Sequence, residues 1–302
     1  MNESFRVVGS RRYGTPSPLR YPGGKSALAG FLADIVSYLN IKDVQYVEPY
    51  AGGVGVGISL LQKGVINHLT INDIDPAVHA FWKSVVDSNA KFLELVSSTP
   101  ITINEWLKQR EIYRSGDESD PLRLGFAFFF LNRTNRSGIL NAGVIGGQSQ
   151  EGAYKIDARF NRNTLTKRLE AIGNLADRIT VTDLDGRTVI QKHADDEQAF
   201  MYIDPPYVKA GTRLYPNAFD GEDHKALSAI VNSVEKAHWL MTYDMSPLIE
   251  KLYHNQFQCG LELAYSARHR RLAEELLIAS PTVAKAIKTS QSNLKLGEAV
   301  SA

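Results

Sequence analysis

Cysteine is almost absent from this chain: Cys259 is the only one in 302 residues. No disulfide can close within the chain and no cysteine-ligated zinc site can form, which fits a reducing compartment. Long apolar runs are missing too. No stretch approaches the roughly 18 to 20 residues that cross a bilayer, so no membrane partner is expected. The opening residues, Met1 to Arg6, lack the charged-then-apolar layout of a secretory signal, and a cytoplasmic location is the expectation. Excess charge of one sign is also absent, since 34 Lys and Arg face 33 Asp and Glu. A net charge of +1 carries no global signature of nucleic-acid binding, so any such surface must be local. The glycine-rich bend Ala51 to Gly57 does not fit G-x-G-x-x-G, because the sixth position counted from Gly53 or Gly55 is Ile58 or Leu60. A dinucleotide dehydrogenase is thereby disfavoured.

What is present is an ordinary globular composition, 43% apolar and 22% charged, in a chain long enough for one large domain or two small ones. Residues 1–20 are polar and read as an arm or loop. Leu28, Phe31, Leu32, Ile35, Val36 and Leu39 recur at helical spacing, which predicts an amphipathic helix from Ser26 with Ser26 as its N-cap. Gln45 to Val47 reads as a strand entering the glycine bend, followed by a short helix from Ile58 to Gln62. His68 to Ile71 is a second strand, ending at Asn72-Asp73-Ile74-Asp75 before a helix near Pro76. Strand, glycine loop, helix, strand and acid make half of a doubly wound α/β fold. After a change of composition near residue 84 the pattern resumes at Ile179 to Thr182, a strand ending at Asp183-Leu184-Asp185. Helix and strand then alternate to Ala279, and Ser280 to Ala302 reads as a polar, frayed tail.

The most informative stretch is Asp204-Pro205-Pro206-Tyr207, which follows the apolar run Ala199 to Ile203. It stands where a buried parallel strand ends, on the rim where open α/β sheets bind ligands. Two prolines fix the backbone and carry no N–H, so Asp204 and the Pro205 carbonyl are acceptors beneath an aromatic ring. That set suits an exocyclic amine on a planar base; the plainer reading is a Pro-Pro turn capped by Asp204. Asp73, about twenty residues past the glycine loop, is placed to accept from ribose hydroxyls. Glu48, Pro49 and Tyr50 add an acid before Gly52. A glycine loop with acids and few cations suits an adenosine ligand without phosphates and with a positive centre, as in S-adenosylmethionine. The plainer reading is glycine used for tight packing. Tyr21-Pro22-Gly23-Gly24-Lys25 lacks P-loop spacing, and either holds the methionine end of that ligand or is a simple turn.

Between Arg123 and Arg168 eight Lys/Arg face two Asp/Glu, an excess of six within a long Gly/Asn/Arg-rich stretch. Loops of that length in a compact domain are usually functional, and the charge makes a candidate phosphate surface or a merely solvated loop. Arg133, Asn135, Arg136 and Asn141 are candidates for base edges, since Arg suits guanine and Asn adenine. Arg159, Arg162, Lys167 and Arg168 suit phosphates. Arg268, Arg270 and Arg271 are further candidates for the nucleic-acid backbone.

Three segments occur together in one order: Arg20 to Lys25, Glu48 to Gly53, and Asp204 to Tyr207. On these the chain resembles the Dam-type (alpha-group) DNA adenine-N6 methyltransferases from residue 18 to about 280. Asn72 to Asp75 resembles the family's ribose-binding acid, and Asn132-Arg133 with Ser137-Gly138 the start of its recognition insertion. The resemblance implies a Rossmann-like, seven-stranded methyltransferase sheet with an inserted, mainly helical target-recognition domain. It implies 1–84 as the cofactor half, 85–175 as the insertion, 176–280 as the catalytic half and 281–302 as a tail. Asp204, Pro205, Pro206 and Tyr207 are then the catalytic set. Tyr21, Pro22, Gly23, Lys25, Glu48, Pro49, Tyr50, Gly52, Asp73, Ile74, Asp185 and Asp204 surround the cofactor. The family's Phe-x-Gly-x-Gly here reads Tyr50-Ala51-Gly52-Gly53-Val54-Gly55, and Asn141 replaces the base-reading Arg of GATC-methylating members, so a target other than GATC is expected.

The expected partners are double-stranded DNA and a cognate restriction or defence system, with the chain a monomer or weak dimer in a bacterial or phage-infected cell. No metal is expected. Rivals are an RNA adenine-N6 methyltransferase and a catalytically silent DNA-binding module. A glutamine-amide enzyme would carry Asn, not Asp, before Pro-Pro-Tyr. Cytosine C5 chemistry would need a Pro-Cys nucleophile that is missing. Tyr215 and Phe219 are candidate pocket walls, and His224 reads as structural.

Overall fold

The computed structural model describes residues 4–7, 12–14, 16–20, 24–208, 219–264 and 272–289. Eight strands form one sheet: β1 (Ser4–Val7), β2 (Gln45–Glu48), β3 (His68–Asn72), β4 (Ile179–Thr182), β5 (Ala199–Ile203), β6 (His238–Asp244), β7 (Phe257–Ala264) and β8 (Leu272–Ala279). Their spatial order is β1-β7-β8-β6-β5-β2-β3-β4. Every pairing is parallel except those of β8, which runs antiparallel to both β6 and β7. This is the expected α/β methyltransferase-type sheet of seven strands with one more on its edge. β1 is that addition, paired parallel to β7 from Ser4 opposite Gly260 to Val7 opposite Leu263. It corrects the reading of residues 1–20 as arm or loop throughout; four residues are too short a run for periodicity to register.

Neighbouring side chains in the strands go to opposite faces, as the pleat demands. Tyr46, Phe200, Tyr202, Leu240, Leu277 and Ala279 join one core. Val47, Met201, Ile203, Trp239, Met241, Leu276 and Ile278 join the other. Both faces are covered, which is why β5 is buried at every position. On the second face lie α8 (Gly186–His193), α9 (Gly221–Asn232) and α10 (Pro247–Leu252), through Val189, Ile190, Leu227, Val231 and Ile249. On the first lie α1 (Ala29–Leu39), α2 (Gly55–Gln62) and α3 (Pro76–Asp87). The switch point falls between β2 and β5, where the connections diverge and clefts open on such sheets.

The helix starts follow ordinary chemistry. Asp75 accepts from the amides of Ala77 and Val78 ahead of Pro76, and Asp220 and Asp223 form a reciprocal capping box on α9. The first helix departs from expectation. It opens with a 3-10 turn, Ser26–Leu28, whose N-cap is Lys25 and not Ser26, with no side-chain cap. Residues 281–289 are helical as well, with Val283, Ala286 and Ile287 fully buried against the first core, so the start of the tail is docked. That i, i+3, i+4 spacing was present in the sequence among polar neighbours.

Between β3 and β4 the chain leaves the sheet and adds α4 (Asn89–Ser98), α5 (Ile103–Ser115), α6 (Pro121–Thr134) and α7 (Arg162–Gly173) to α3. Phe81, Phe92, Phe126, Phe129 and Phe160 meet in mutual edge, tilted and stacked contacts with centroids 5.5 to 6.4 Å apart. Their cluster is continuous with the first core of the sheet. Helices α3 and α6 cross at Gly125, where a Cβ would lie 2.5 Å from the Ala80 carbonyl oxygen and 2.7 Å from the Phe81 Cα. In an exposed helix Gly→Ala gains about 1 kcal/mol. Here backbone would have to move, and Gly125→Ala should instead cost about 1–3 kcal/mol, read as a lower urea midpoint with an unchanged slope.

Candidate active site

The tip of β5 delivers Asp204 to the centre of the carboxyl rim with its side chain 25% exposed. One oxygen is committed. Asp204 Oδ1 accepts from the Thr242 hydroxyl at 2.8 Å and from the Tyr207 hydroxyl at 3.1 Å. Thr242, buried on β6, also contacts the Tyr202 hydroxyl at 2.8 Å. The other oxygen, Oδ2, receives no hydrogen bond among the described residues, and neither does the Pro205 carbonyl. Burial pushes the Asp204 carboxyl above the ordinary carboxylate range. The Lys25 ammonium opposes that, Glu275 adds to it, and the bonds from Thr242 and Tyr207 oppose it again.

Lys25 reaches this point from the turn before α1. Its Nζ lies 2.7 and 2.9 Å from the two Glu275 oxygens, donates to the Tyr207 hydroxyl at 2.5 Å, and stands 3.7 Å from Asp204 Oδ1. The Lys25 and Glu275 side chains are each only 6% exposed. Removing one partner of such a pair strands a buried charge, at a cost of about 3–5 kcal/mol. Glu275 stands on β8, opposite Asp244 of β6 and Leu261 of β7.

The tips of β2, β3 and β4 are tied together by Asn72, which is fully buried at the end of β3. Its amide donates to the carbonyls of Pro49 and Leu184, and its oxygen accepts from the Thr182 hydroxyl and the Leu184 amide. Three strand tips are therefore cross-linked by one side chain. Asp73 accepts from the Gly52 amide at 2.9 Å and the Asp75 amide at 3.0 Å, and burial raises it to about 6. Trp82 Nε1 holds the Gly52 carbonyl at 2.9 Å. Glu48 is buried beneath the glycine loop, accepts from the Gly57 amide at 2.9 Å, and is raised to about 8 by desolvation. A Cβ at Gly57 would lie 2.6 Å from Leu69 Cδ1 and 2.9 Å from Glu48 Oε1, so a side chain there would displace one or both.

The donor set fits S-adenosylmethionine. Ile74 and Leu184, beside the acids at the tips of β3 and β4, are 48% and 39% exposed, apolar surface of the kind an adenine ring covers. The acids Asp73 and Asp204 stand at the tips of β3 and β5 on the same rim, whereas Glu48 is held in its neutral form beneath the loop by burial. Tyr50 Oη is buried without a hydrogen bond among the described residues, its ring edge-on to Phe219 at 5.8 Å. Asp185 differs from the rest: it caps α8 and pairs with Arg187 at 2.6 Å, so its oxygens are committed within the protein.

Comparison with known proteins agrees with this geometry. Residues 21–266 match the family model of the D12 class N6 adenine-specific DNA methyltransferases. The chain belongs to this family. It is also similar to the Type II methyltransferase M.MjaIII of Methanocaldococcus jannaschii, 27% identical over 208 residues, 63% of this chain and 68% of the relative. The D12 chain is thus a DNA adenine-N6 methyltransferase that uses S-adenosylmethionine. Among the described residues, no helix is long and apolar enough to cross a membrane.

The nucleic-acid candidates divide sharply. Asn135 is corrected. It is 0% exposed, and its side chain donates to the carbonyls of Ile139 and Leu140 and accepts from Trp106 Nε1, which leaves nothing for a base edge. Arg162 is turned inward onto the carbonyls of Val96 and Thr99. Arg133 donates to the carbonyls of Arg159 and Pro18, and Arg168 to that of Ser17. Arg136, Asn141, Arg159 and Lys167 are exposed. Tyr21, Pro22, Gly23, Tyr215, Arg268, Arg270 and Arg271 lie outside the described residues. His224 is buried against Tyr243, with Nδ1 2.9 Å from its hydroxyl. Burial raises the Cys259 thiol to about 12, far from a nucleophile.

Thr242, Glu275 and Asn72 went unassigned from sequence. Glu275 had one signal, an acid inside an apolar strand. The Glu48 carboxyl yields a pH test. Its folded value near 8 stands above an unfolded value of about 4.3, so the folded state binds the extra proton between them. This stability is complete below the lower value and is lost as pH rises through the upper one. Glu48→Gln keeps an acceptor for Gly57 and removes the titration. The wild-type stability minus that of the variant, from urea unfolding of the ligand-free protein, should fall steadily from about pH 5 to about pH 9.

Proposed function

We propose that the protein is a site-specific methyltransferase acting on an adenine flipped out of duplex DNA. The observation that carries this reading is the pair of open acceptors, Asp204 Oδ2 and the Pro205 carbonyl, beside a Tyr207 ring. An adenine N6 has two hydrogens and a lone pair delocalised into the ring. Two acceptors that bind those hydrogens favour a pyramidal nitrogen with its lone pair exposed. S-adenosylmethionine supplies an electrophilic methyl group on a sulfonium. The protein contributes position and fixed dipoles: Oδ1 is held by Thr242 and Tyr207, so Oδ2 is presented in one direction. Asp204 need not remove a proton first, because the methylated amine sheds one readily.

Extrusion of the base costs a few kcal/mol, and stacking on Tyr207 returns about 1–3 kcal/mol. Tyr50, Asp73, Ile74 and Leu184 are the residues for the adenosine end of the cofactor, and Lys25 with the preceding Tyr21 to Gly23 for its methionine end.

We assign residues 1–84 to the cofactor half, 85–175 to target recognition and 176–280 to catalysis. Support for DNA at the insertion comes from a concentration of guanidiniums. Around the segment Ser17 to Arg20, burial lowers the basicity of Arg133, Arg20 and Arg168; the neighbouring guanidiniums of Arg20, Arg168 and Arg159 lower Arg133 further, and that of Arg159 lowers Arg20. No carboxylate lies within ion-pair distance of Arg20, Arg133 or Arg159 among the described residues. A phosphate backbone is the natural counter-charge. Arg136 and Asn141 are the exposed candidates for base edges. The Type II designation of the Methanocaldococcus jannaschii relative favours a cognate restriction or defence system as partner.

Asp204→Asn should lower kcat by about 100- to 1,000-fold while cofactor affinity stays within a few-fold, measured with labelled methyl donor and duplex DNA. Full turnover in that variant, or equal transfer to RNA of the same sequence, would overturn the reading. Arg159→Ala should weaken DNA binding about equally for specific and random duplexes, and reduce the slope of log affinity against log salt by about one.

A further inference from the structure

Glu275 has no place in the scheme above, yet it is the acid most intimately bound to the cation of the site. It is 5% exposed, stands on the one antiparallel strand of the sheet, and grips Lys25 Nζ with both oxygens at 2.7 and 2.9 Å. The same ammonium donates to the Tyr207 hydroxyl at 2.5 Å, and that hydroxyl donates to Asp204 Oδ1 at 3.1 Å. Four side chains thus form one line: Glu275, Lys25, Tyr207, Asp204. Lys25 Nζ lies 3.7 Å from Asp204 Oδ1, an ion pair beyond hydrogen-bond distance.

Among the described residues, the other carboxylate within ion-pair distance of that ammonium is Asp204 itself. A direct Lys25–Asp204 hydrogen bond would occupy the carboxylate that the amine needs. We propose that Glu275 is a positioning residue for methyl transfer: it anchors Lys25 away from Asp204 and turns the Tyr207 hydroxyl onto Oδ1, so that Oδ2 stays open for the adenine amine. This rests on the role given above to Asp204.

The proposal separates charge from packing. Asp204 is faced by Lys25 from the turn before α1, by Glu48 and Tyr46 of β2, by Tyr202 of its own strand, by Tyr207, by Thr242 and Tyr243 of β6, and by Glu275 of β8. Among these Glu275 raises the Asp204 carboxyl and Lys25 lowers it. Removing the Glu275 charge lowers it doubly, once by the lost repulsion and once by freeing Lys25 to approach. If activity requires ionised Asp204, its acid limb then moves to lower pH.

Glu275→Gln keeps the shape and loses the charge; Glu275→Asp keeps the charge and shortens the arm. The glutamine variant should lose about 10- to 100-fold in kcat, with KM for DNA within a few-fold and the acid limb of the kcat profile displaced downward. The aspartate variant should lose less and leave the limb in place. Thermal midpoints and direct binding of S-adenosylhomocysteine, measured alongside, report folding and the cofactor site independently of turnover. Two results overturn the proposal: wild-type kcat in the glutamine variant, or equal losses in both variants with no displaced limb. If the glutamine variant does not fold, an acid limb displaced in the aspartate variant counts against the proposal and an unmoved limb with reduced kcat supports it. Asp204→Asn run in parallel separates the two readings, since its full activity would remove the role of Asp204, whereas its inactivity beside an unaffected Glu275→Gln would remove only that of Glu275.

Discussion

A carboxylate three-quarters withdrawn from water, at the tip of the central strand, is the constraint around which this molecule is organised. Burial favours its neutral form, and a neutral carboxyl is a weaker acceptor than a carboxylate. The surrounding structure counters that tendency with hydroxyls from β6 and the Pro-Pro-Tyr turn and a cation from the turn before α1. The cation is itself buried, so it needs an acid of its own, and β8 supplies it. Much of the polar interior on that side of the sheet follows from stabilising one negative charge at one strand end.

The alternation of apolar side chains made the sheet legible before any coordinates. Runs such as Ala199 to Ile203 and Ile179 to Thr182 read correctly because their whole length is strand and both ends carry turn residues. β1 escaped because it is only four residues long and borrows its hydrogen bonds from β7, which lies more than 250 positions away. Residues 281–289 were misread for a different reason: three buried apolar positions are diluted by lysines and threonines that face water. The proposed boundary near residue 84 falls within α3, whose apolar residues serve both the sheet and the aromatic cluster of the insertion. Composition changes there while the helix continues.

At the site, motif residues were legible and their supports were not. Asp204 and Tyr207 announce themselves by sharing one four-residue motif. Thr242 and Glu275 come to the same point from 38 and 71 residues further along, through strand pairing that no local window contains. Asn135 shows the opposite failure. Its chemistry suits a base edge, but the indole of Trp106 and two loop carbonyls consume it, and burial alone distinguishes the two uses. Asn72 is the same kind of residue used well, a buried amide whose oxygen and nitrogen fasten β2, β3 and the loop after β4.

The short segment Ser17 to Arg20 is stitched to both halves of the molecule. Asn132 of α6 bonds both the amide and carbonyl of Arg20, while the Ser17 hydroxyl holds the Gly53 carbonyl of the glycine loop at 2.6 Å. The insertion is therefore no detachable cassette. Moving α4 to α7 into a related scaffold would leave Arg133 and Arg168 without the carbonyls of Pro18 and Ser17 that they bind here. Any exchange of this insertion between related chains has to carry the N-terminal segment along as an inherited companion.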